Sequence, residues 1–193
     1  MKKLLYLALI SGVMASCNTN PDQKVTYYFD TDSLMHIQRK MLYEQQASIK
    51  KRAVIKGEVE EAQVHPDSLK AWEHEFQILE MININKPVLK EAYSISEYAD
   101  SQSNLTVREY KAVEDDLEVP YLKIYYLRQP EALRKLEAAY VERNPIYKSE
   151  RKLSFTFEDF TGASLLHRYS IDGTQKMLLM DSVNFEITGE IIL

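Results

Sequence analysis

An α+β fold, two N-terminal helices packed on a mostly antiparallel sheet of about six strands, is what the chain predicts. Three observations carry it. Apolar residues recur at helical spacing through Ser33–Lys50 and again from Leu69 to Ile82. From about Tyr93 the apolar period drops to two, the mark of strands with one buried face. Few residues break this pattern, since the 193-residue chain has only five glycines and six prolines, and no internal repeat or low-complexity tract interrupts it.

The elements follow in order. Asp30-Thr31-Asp32-Ser33 supplies caps for a first helix over Ser33–Lys50, with Leu34, Ile37, Met41, Leu42 and Ile49 as its apolar face. Ala53 to Glu60 reads as a short hairpin turning at Gly57, although Glu60-Glu61-Ala62 would also suit a helical continuation. Pro66-Asp67-Ser68 opens a second helix that presents Leu69, Trp72, Phe76, Leu79 and Met81 or Ile82, and Asn85-Lys86-Pro87 stops it. Trp72 is expected to anchor this helix on the sheet.

Strands are predicted at Ser94–Tyr98, Leu105–Val113, Tyr121–Leu127 and Leu153–Phe157. Arg134–Glu142 is ambiguous, because Ala and Leu favour helix while the alternation allows a strand; closure by Asn144-Pro145 favours the strand. Leu165–Ile171 and Met177–Met180 flank Asp172-Gly173, which reads as a hairpin turn, and Asn184–Leu193 closes the sheet. The whole of 30–193 is one expected α+β domain.

The N-terminus is a different kind of sequence. Met1-Lys2-Lys3, an apolar stretch Leu4–Val13 and the small residues Ala15-Ser16 before Cys17 form an export signal over 1–16, with the only cysteine at the cleavage point. Cys17 is therefore the expected lipidation site and the first residue of an acylated, palmitate-type lipoprotein, and 17–29 its polar tether. Acylation also explains why an exported chain has no second cysteine to pair with it. Leu4–Val13 is shorter than the roughly 20 apolar residues that span a bilayer.

Charge excludes one class of partner. The chain has 24 basic and 29 acidic residues, net −5, and loss of Lys2 and Lys3 with the signal leaves 22 against 29, net −7. A nucleic-acid backbone needs clustered Lys and Arg, so no nucleic-acid partner is expected.

The segments Trp72 with Ile82-Asn83-Ile84-Asn85-Lys86-Pro87, Asn144-Pro145-Ile146-Tyr147-Lys148-Ser149-Glu150-Arg151-Lys152-Leu153, and Tyr169-Ser170-Ile171-Asp172-Gly173-Thr174-Gln175-Lys176-Met177 resemble an uncharacterised family of Bacteroidota envelope lipoproteins. The resemblance implies an envelope location, with outer-membrane attachment, and this fold; it implies no activity. Surface-displayed members often carry an acidic run after the cysteine, whereas only Asp22 stands here, so the periplasmic and surface faces both stay open.

Catalytic and metal motifs are missing. His74-Glu75 would need a second histidine at 78, which is Ile, for a zinc-protease helix. There is no Gly-x-Ser-x-Gly elbow, no glycine-rich phosphate cradle and no calcium loop, and Glu114-Asp115-Asp116 reads as a solvated run before Pro120. No cofactor and no enzymatic activity are expected. The unusual feature is the 13 tyrosines. Tyr125, Tyr140 and Tyr169, with Trp72, are the candidate binding surface, since each ring gives apolar area with a polar tip; the plainer reading is that Tyr simply packs well at the edge of a sheet.

The function expected from these residues is a non-enzymatic binding or interaction module that docks an envelope protein; the alternative is a carrier of a lipid or other apolar ligand between sheet and helices, and a hydrolase with an unrecognised site is the third reading. An exposed apolar patch, a greasy cavity and a cleft of perturbed titratable groups would mark them respectively.

Overall fold

The computed structural model describes residues 26–193. The signal segment, Cys17 and the tether as far as residue 25 lie outside the described residues. Helix α1 (Thr31–Glu44) is followed by β1 (Ser48–Ile55) and β2 (Glu58–Val64), then by α2 (Leu69–Glu75), α3 (Gln77–Met81) and a 3₁₀ turn at Pro87–Leu89. Seven strands complete the chain: β3 (Tyr93–Ala99), β4 (Thr106–Ala112), β5 (Tyr121–Tyr126), β6 (Leu133–Asn144), β7 (Tyr147–Phe160), β8 (Ala163–Met177) and β9 (Val183–Ile192). All nine strands form one antiparallel sheet in the order β2-β1-β9-β8-β7-β6-β5-β4-β3. The α+β class holds, with nine strands where about six were expected; seven follow the helices, and the β1–β2 hairpin joins the same sheet along β9.

Register shows how the sheet is sided. Ala53, Ile187, Ile171, Leu153, Ala138, Leu122 and Tyr110 stand opposite one another across seven strands, an apolar row on the face that the helices cover. The row on the opposite face runs Val54, Glu186, Asp172, Lys152, Ala139, Tyr121 and Lys111 and is largely polar. Trp72 (0% exposed) stacks on Phe76 at 5.5 Å between ring centroids, and Phe76 meets Tyr169 edge-on at 6.4 Å, so α2 is held on the sheet by rings. Aromatic pairs of this geometry contribute about 0.5–1.5 kcal/mol beyond the burial itself.

Several boundaries differ from expectation, each for a local reason. The first helix, capped by the Asp30 carboxylate on the Ser33 amide (3.1 Å), stops at Glu44, because Gln46 takes φ 53° and turns the chain; Ile49 then faces the core from β1. The second helix breaks at Phe76 into two short pieces, α2 and α3. The hairpin at Gly57 is present, with Lys56 (φ 53°) and Gly57 (φ 87°) as its two turn residues, the combination a type I′ turn requires.

Asp172-Gly173 is not a turn. β8 runs straight through it, with Lys152 opposite Asp172 and Arg151 opposite Gly173. Glycine is needed there because the Phe185 ring lies over the backbone where a Cβ would otherwise sit. The β7–β8 turn falls instead at Thr161 (φ 50°) and Gly162 (φ 87°), and 178–182 is a loop rather than the predicted strand. The tether also ends sooner: Tyr28 is core, its hydroxyl donating to the Leu89 carbonyl (3.1 Å) and accepting from the Tyr93 amide (3.2 Å). Asn85 Oδ1 accepts from the amides of both Tyr27 (2.7 Å) and Tyr28 (3.1 Å), pinning the start of the domain.

Candidate functional site: an apolar groove under the first helix

The inner face of the sheet is not covered along its whole width. Over β7–β9, α2 with its ring cluster and the Gln38 side of α1 lie on it. Over β3 and β4 the helices leave a groove of about 920 Å³ between α1 and the sheet. One wall is the α1 stripe Leu34, Ile37 and Met41; the other is Ile95 and Tyr110 with Glu97 and Arg108. Thr26–Asp30, Pro130-Glu131 and residues 162–164 at the β7–β8 turn also line it. Ile37 (53% exposed) and Ile95 (56% exposed) are large apolar side chains left in water on its two walls.

Helix α1 produces this by an inversion of the usual pattern. Its fully buried positions are Thr31, Met35, Gln38 and Leu42, two of them polar, while the greasier stripe Leu34, Ile37, Met41 is only partly covered. Gln38 is affordable inside because both ends of its amide are used: Nε2 donates to the Ser164 carbonyl (2.8 Å) and Oε1 accepts from the Leu166 amide (2.7 Å). The apolar face expected for this helix is therefore mostly the groove stripe and not the core stripe. Register shifts at Tyr125/Tyr126 and Thr156/Phe157 bend β5 to β8 at the groove end of the strands.

The groove's charges are balanced. Arg108 holds Glu97 through a fork, Nε at 2.9 Å and Nη2 at 2.8 Å from the same carboxylate oxygen. Bonds from Tyr126 and then Arg108 keep the Glu97 carboxyl below the usual carboxylate range, and the pairing with Glu97 raises Arg108. Beside them Tyr28 packs edge-on against Tyr93 (5.3 Å) and Tyr110 (5.9 Å). Burial, then the neighbouring Tyr28 and Glu118, pushes Tyr93 up to about 12. These shifts all run away from neutrality: tyrosines move up, and Glu97, Glu137 and Glu150 move down. Among the described residues no three His, Cys, Asp or Glu gather to hold a metal ion. No helix of the described residues is long and apolar enough to cross a membrane.

The four aromatic residues singled out from sequence do not form one surface. Trp72, Tyr140 and Tyr169 are buried on the inner face, Tyr169 donating its hydroxyl to Glu75 Oε1 (2.7 Å) and Arg151 lying over the Tyr140 ring (5.7 Å). Tyr125 stands on the opposite face, bonded to Glu137 (2.6 Å) with the Lys135 ammonium 5.2 Å above its ring. Burial takes Trp72, Tyr140 and Tyr169 out of any exposed patch, while Tyr125 is half-buried and packs at the sheet surface. Ile95 and Arg108 were not singled out from sequence, and no local pattern marks them; the Leu34-Ile37-Met41 stripe signals only the α1 wall.

No protein-family model matches the chain, and no curated protein matches it, so the resemblance to Bacteroidota lipoproteins has no support from either comparison. Among solved structures the chain is similar to the crystal structure of a LolA superfamily protein from Nitrosomonas europaea, at 8% identity over 86% of this chain and 94% of that one, with a TM-score of 0.29.

Proposed function

We propose that this chain is an envelope-anchored, non-enzymatic binding protein, held at the outer membrane by acyl groups on Cys17, whose groove between α1 and β3–β4 takes an elongated apolar ligand such as a lipid acyl chain. One observation carries the reading. The helix exposes Leu34, Ile37 and Met41 toward Ile95 and Tyr110 while burying polar Gln38, an arrangement that costs stability in an empty groove and is repaid when an apolar molecule covers both walls. About 920 Å³ lies within the range of small-molecule sites, and a concave apolar groove suits a ligand better than a flat protein partner. Titratable groups shifted away from neutrality favour binding over proton-transfer chemistry.

The anchor fits the same reading. Thr26 lines the groove, and Cys17 is nine residues upstream. Nine extended residues reach about 30 Å, so an acylated Cys17 keeps the groove within a short distance of the bilayer.

Mass spectrometry of an organic extract of the protein, purified gently from its own envelope, tests the reading. A stoichiometric lipid that disappears in an Ile37→Asp, Ile95→Asp variant is expected, together with an acyl mass increment that Cys17→Ala abolishes. An extract without lipid, or one unchanged by the variant, overturns the ligand reading; a Cys17 peptide of unmodified mass overturns the anchor.

A further inference from the structure

At the far end of the long strands from the groove, the β6–β7 turn and the β8–β9 loop lie side by side, joined by the Leu178 amide on the Ile146 carbonyl (2.9 Å). Their apolar side chains point away from every packed layer. Leu179 is 97% exposed, Ile146 63%, Leu178 62% and Met180 61%. Leu179 also sits at φ 62°, a backbone conformation that favours glycine, so the chain keeps a large apolar side chain at the apex where a smaller residue would be less strained. Nothing in the domain's own packing uses it.

Beside this tip the register places Arg143 opposite Lys148 and Lys148 opposite Lys176, three cations in one row across β6, β7 and β8. Like charges directly opposite destabilise a sheet. Lys148 meets Glu150 at 2.6 Å, and Glu142 and Asp181 flank the region, but the stretches 143–149 and 173–180 contain no carboxylate in a chain that is acidic overall. An apolar apex with a basic collar and a half-exposed tyrosine, Tyr147, is the pattern that enters a bilayer interface and meets anionic headgroups.

We propose that this tip docks into an anionic lipid bilayer, Leu178, Leu179 and Met180 entering the interface and Arg143, Lys148 and Lys176 engaging lipid phosphates. The site is separate from the groove and does not depend on ligand binding there. β7 spans roughly 45 Å at the usual strand rise. A tether of about 30 Å starting at the groove end therefore lets the tip and an acylated Cys17 share one bilayer when the strands lean toward its plane and not when they stand upright on it.

The test uses residues 17–193 with Cys17→Ser, which hold the entire core from Tyr28 to Ile191 and carry no acyl group. Sedimentation is measured with vesicles of phosphatidylcholine alone and of phosphatidylcholine with an equal part of phosphatidylglycerol. The parent should bind the mixed vesicles, and Leu179→Asp should weaken that binding roughly tenfold or more. Arg143→Gln with Lys176→Gln should remove the preference for the anionic vesicles by a similar factor. All positions are exposed, so melting should not fall, and relief of the like-charge row can only raise it in Arg143→Gln with Lys176→Gln; a variant at least as stable as the parent isolates the surface effect. Parent protein that sediments with neither vesicle, or a Leu179→Asp variant that binds as the parent does, overturns the proposal. So does a vesicle-free dimer that Leu179→Asp breaks, which would make a second copy the occupant of the tip.

Discussion

The inner face of the sheet is finished differently on its two sides. Over β7–β9 the rings of Trp72, Phe76, Tyr169 and Phe155 lie under α2, and every one of them is out of water. Over β3 and β4, Ile95 faces the partly covered stripe of α1 across open space. Both sides use apolar side chains on the same face of the same sheet, so composition does not separate them. What separates them is coverage: the α2 side uses its apolar area to hold the fold, and the α1 side leaves part of it in water, which is where we propose that a ligand binds.

That contrast can be broken from either side. On the sealed side Phe76→Ala removes a ring packed between Trp72 and Tyr169 and should destabilise the domain by about 3–5 kcal/mol, read from chemical denaturation, while the groove of the remaining folded protein keeps its affinity for an acyl probe. Gln38→Ala sits on the boundary. It strips partners from the Ser164 carbonyl and the Leu166 amide, so a loss of about 2 kcal/mol in the same experiment is expected, accompanied by weaker probe binding as the helix loses its seat.

Alkaline pH sharpens the comparison at Tyr93, behind the groove. An unfolded tyrosine ionises at 10.0 and this one at about 12, so the folded state keeps its proton longer. The corresponding stability is complete below pH 10 and is lost as pH rises from 10 toward 12. Denaturation midpoints measured through that window should fall, and Tyr93→Phe should make the fall shallower, the remainder belonging to the other raised tyrosines, at the cost of the bond its hydroxyl donates to the Val119 carbonyl (3.0 Å). The smallest effect on stability belongs to Ile37→Asp with Ile95→Asp, about 1 kcal/mol, because both side chains are more than half exposed.

The strands were readable where one face is buried, as in Tyr121–Tyr126, whose alternation is complete. The full length of β7 was not, because Tyr147–Lys152 is mostly polar and is held as strand by pairing with β6 and β8 on either side. Asp172-Gly173 looked like a turn since the same dipeptide serves turns and ring-covered strands, and only Phe185, a dozen residues away, decides between them. The groove was half legible: Leu34, Ile37 and Met41 stood out as an apolar stripe. Which stripe of α1 is buried depends on Gln38 bonding to residues 126 and 128 positions away, a choice that no local pattern contains.

Titration of a dansyl-labelled long-chain fatty acid into residues 17–193 carrying Cys17→Ser, with and without Ile37→Asp and Ile95→Asp, puts the central claim to the most direct test. One saturable site is predicted, weakened roughly tenfold or more by the paired substitutions in a protein that remains folded. Equal binding by parent and variant, or no binding by the parent, would contradict the assignment of the α1 groove as an apolar-ligand site.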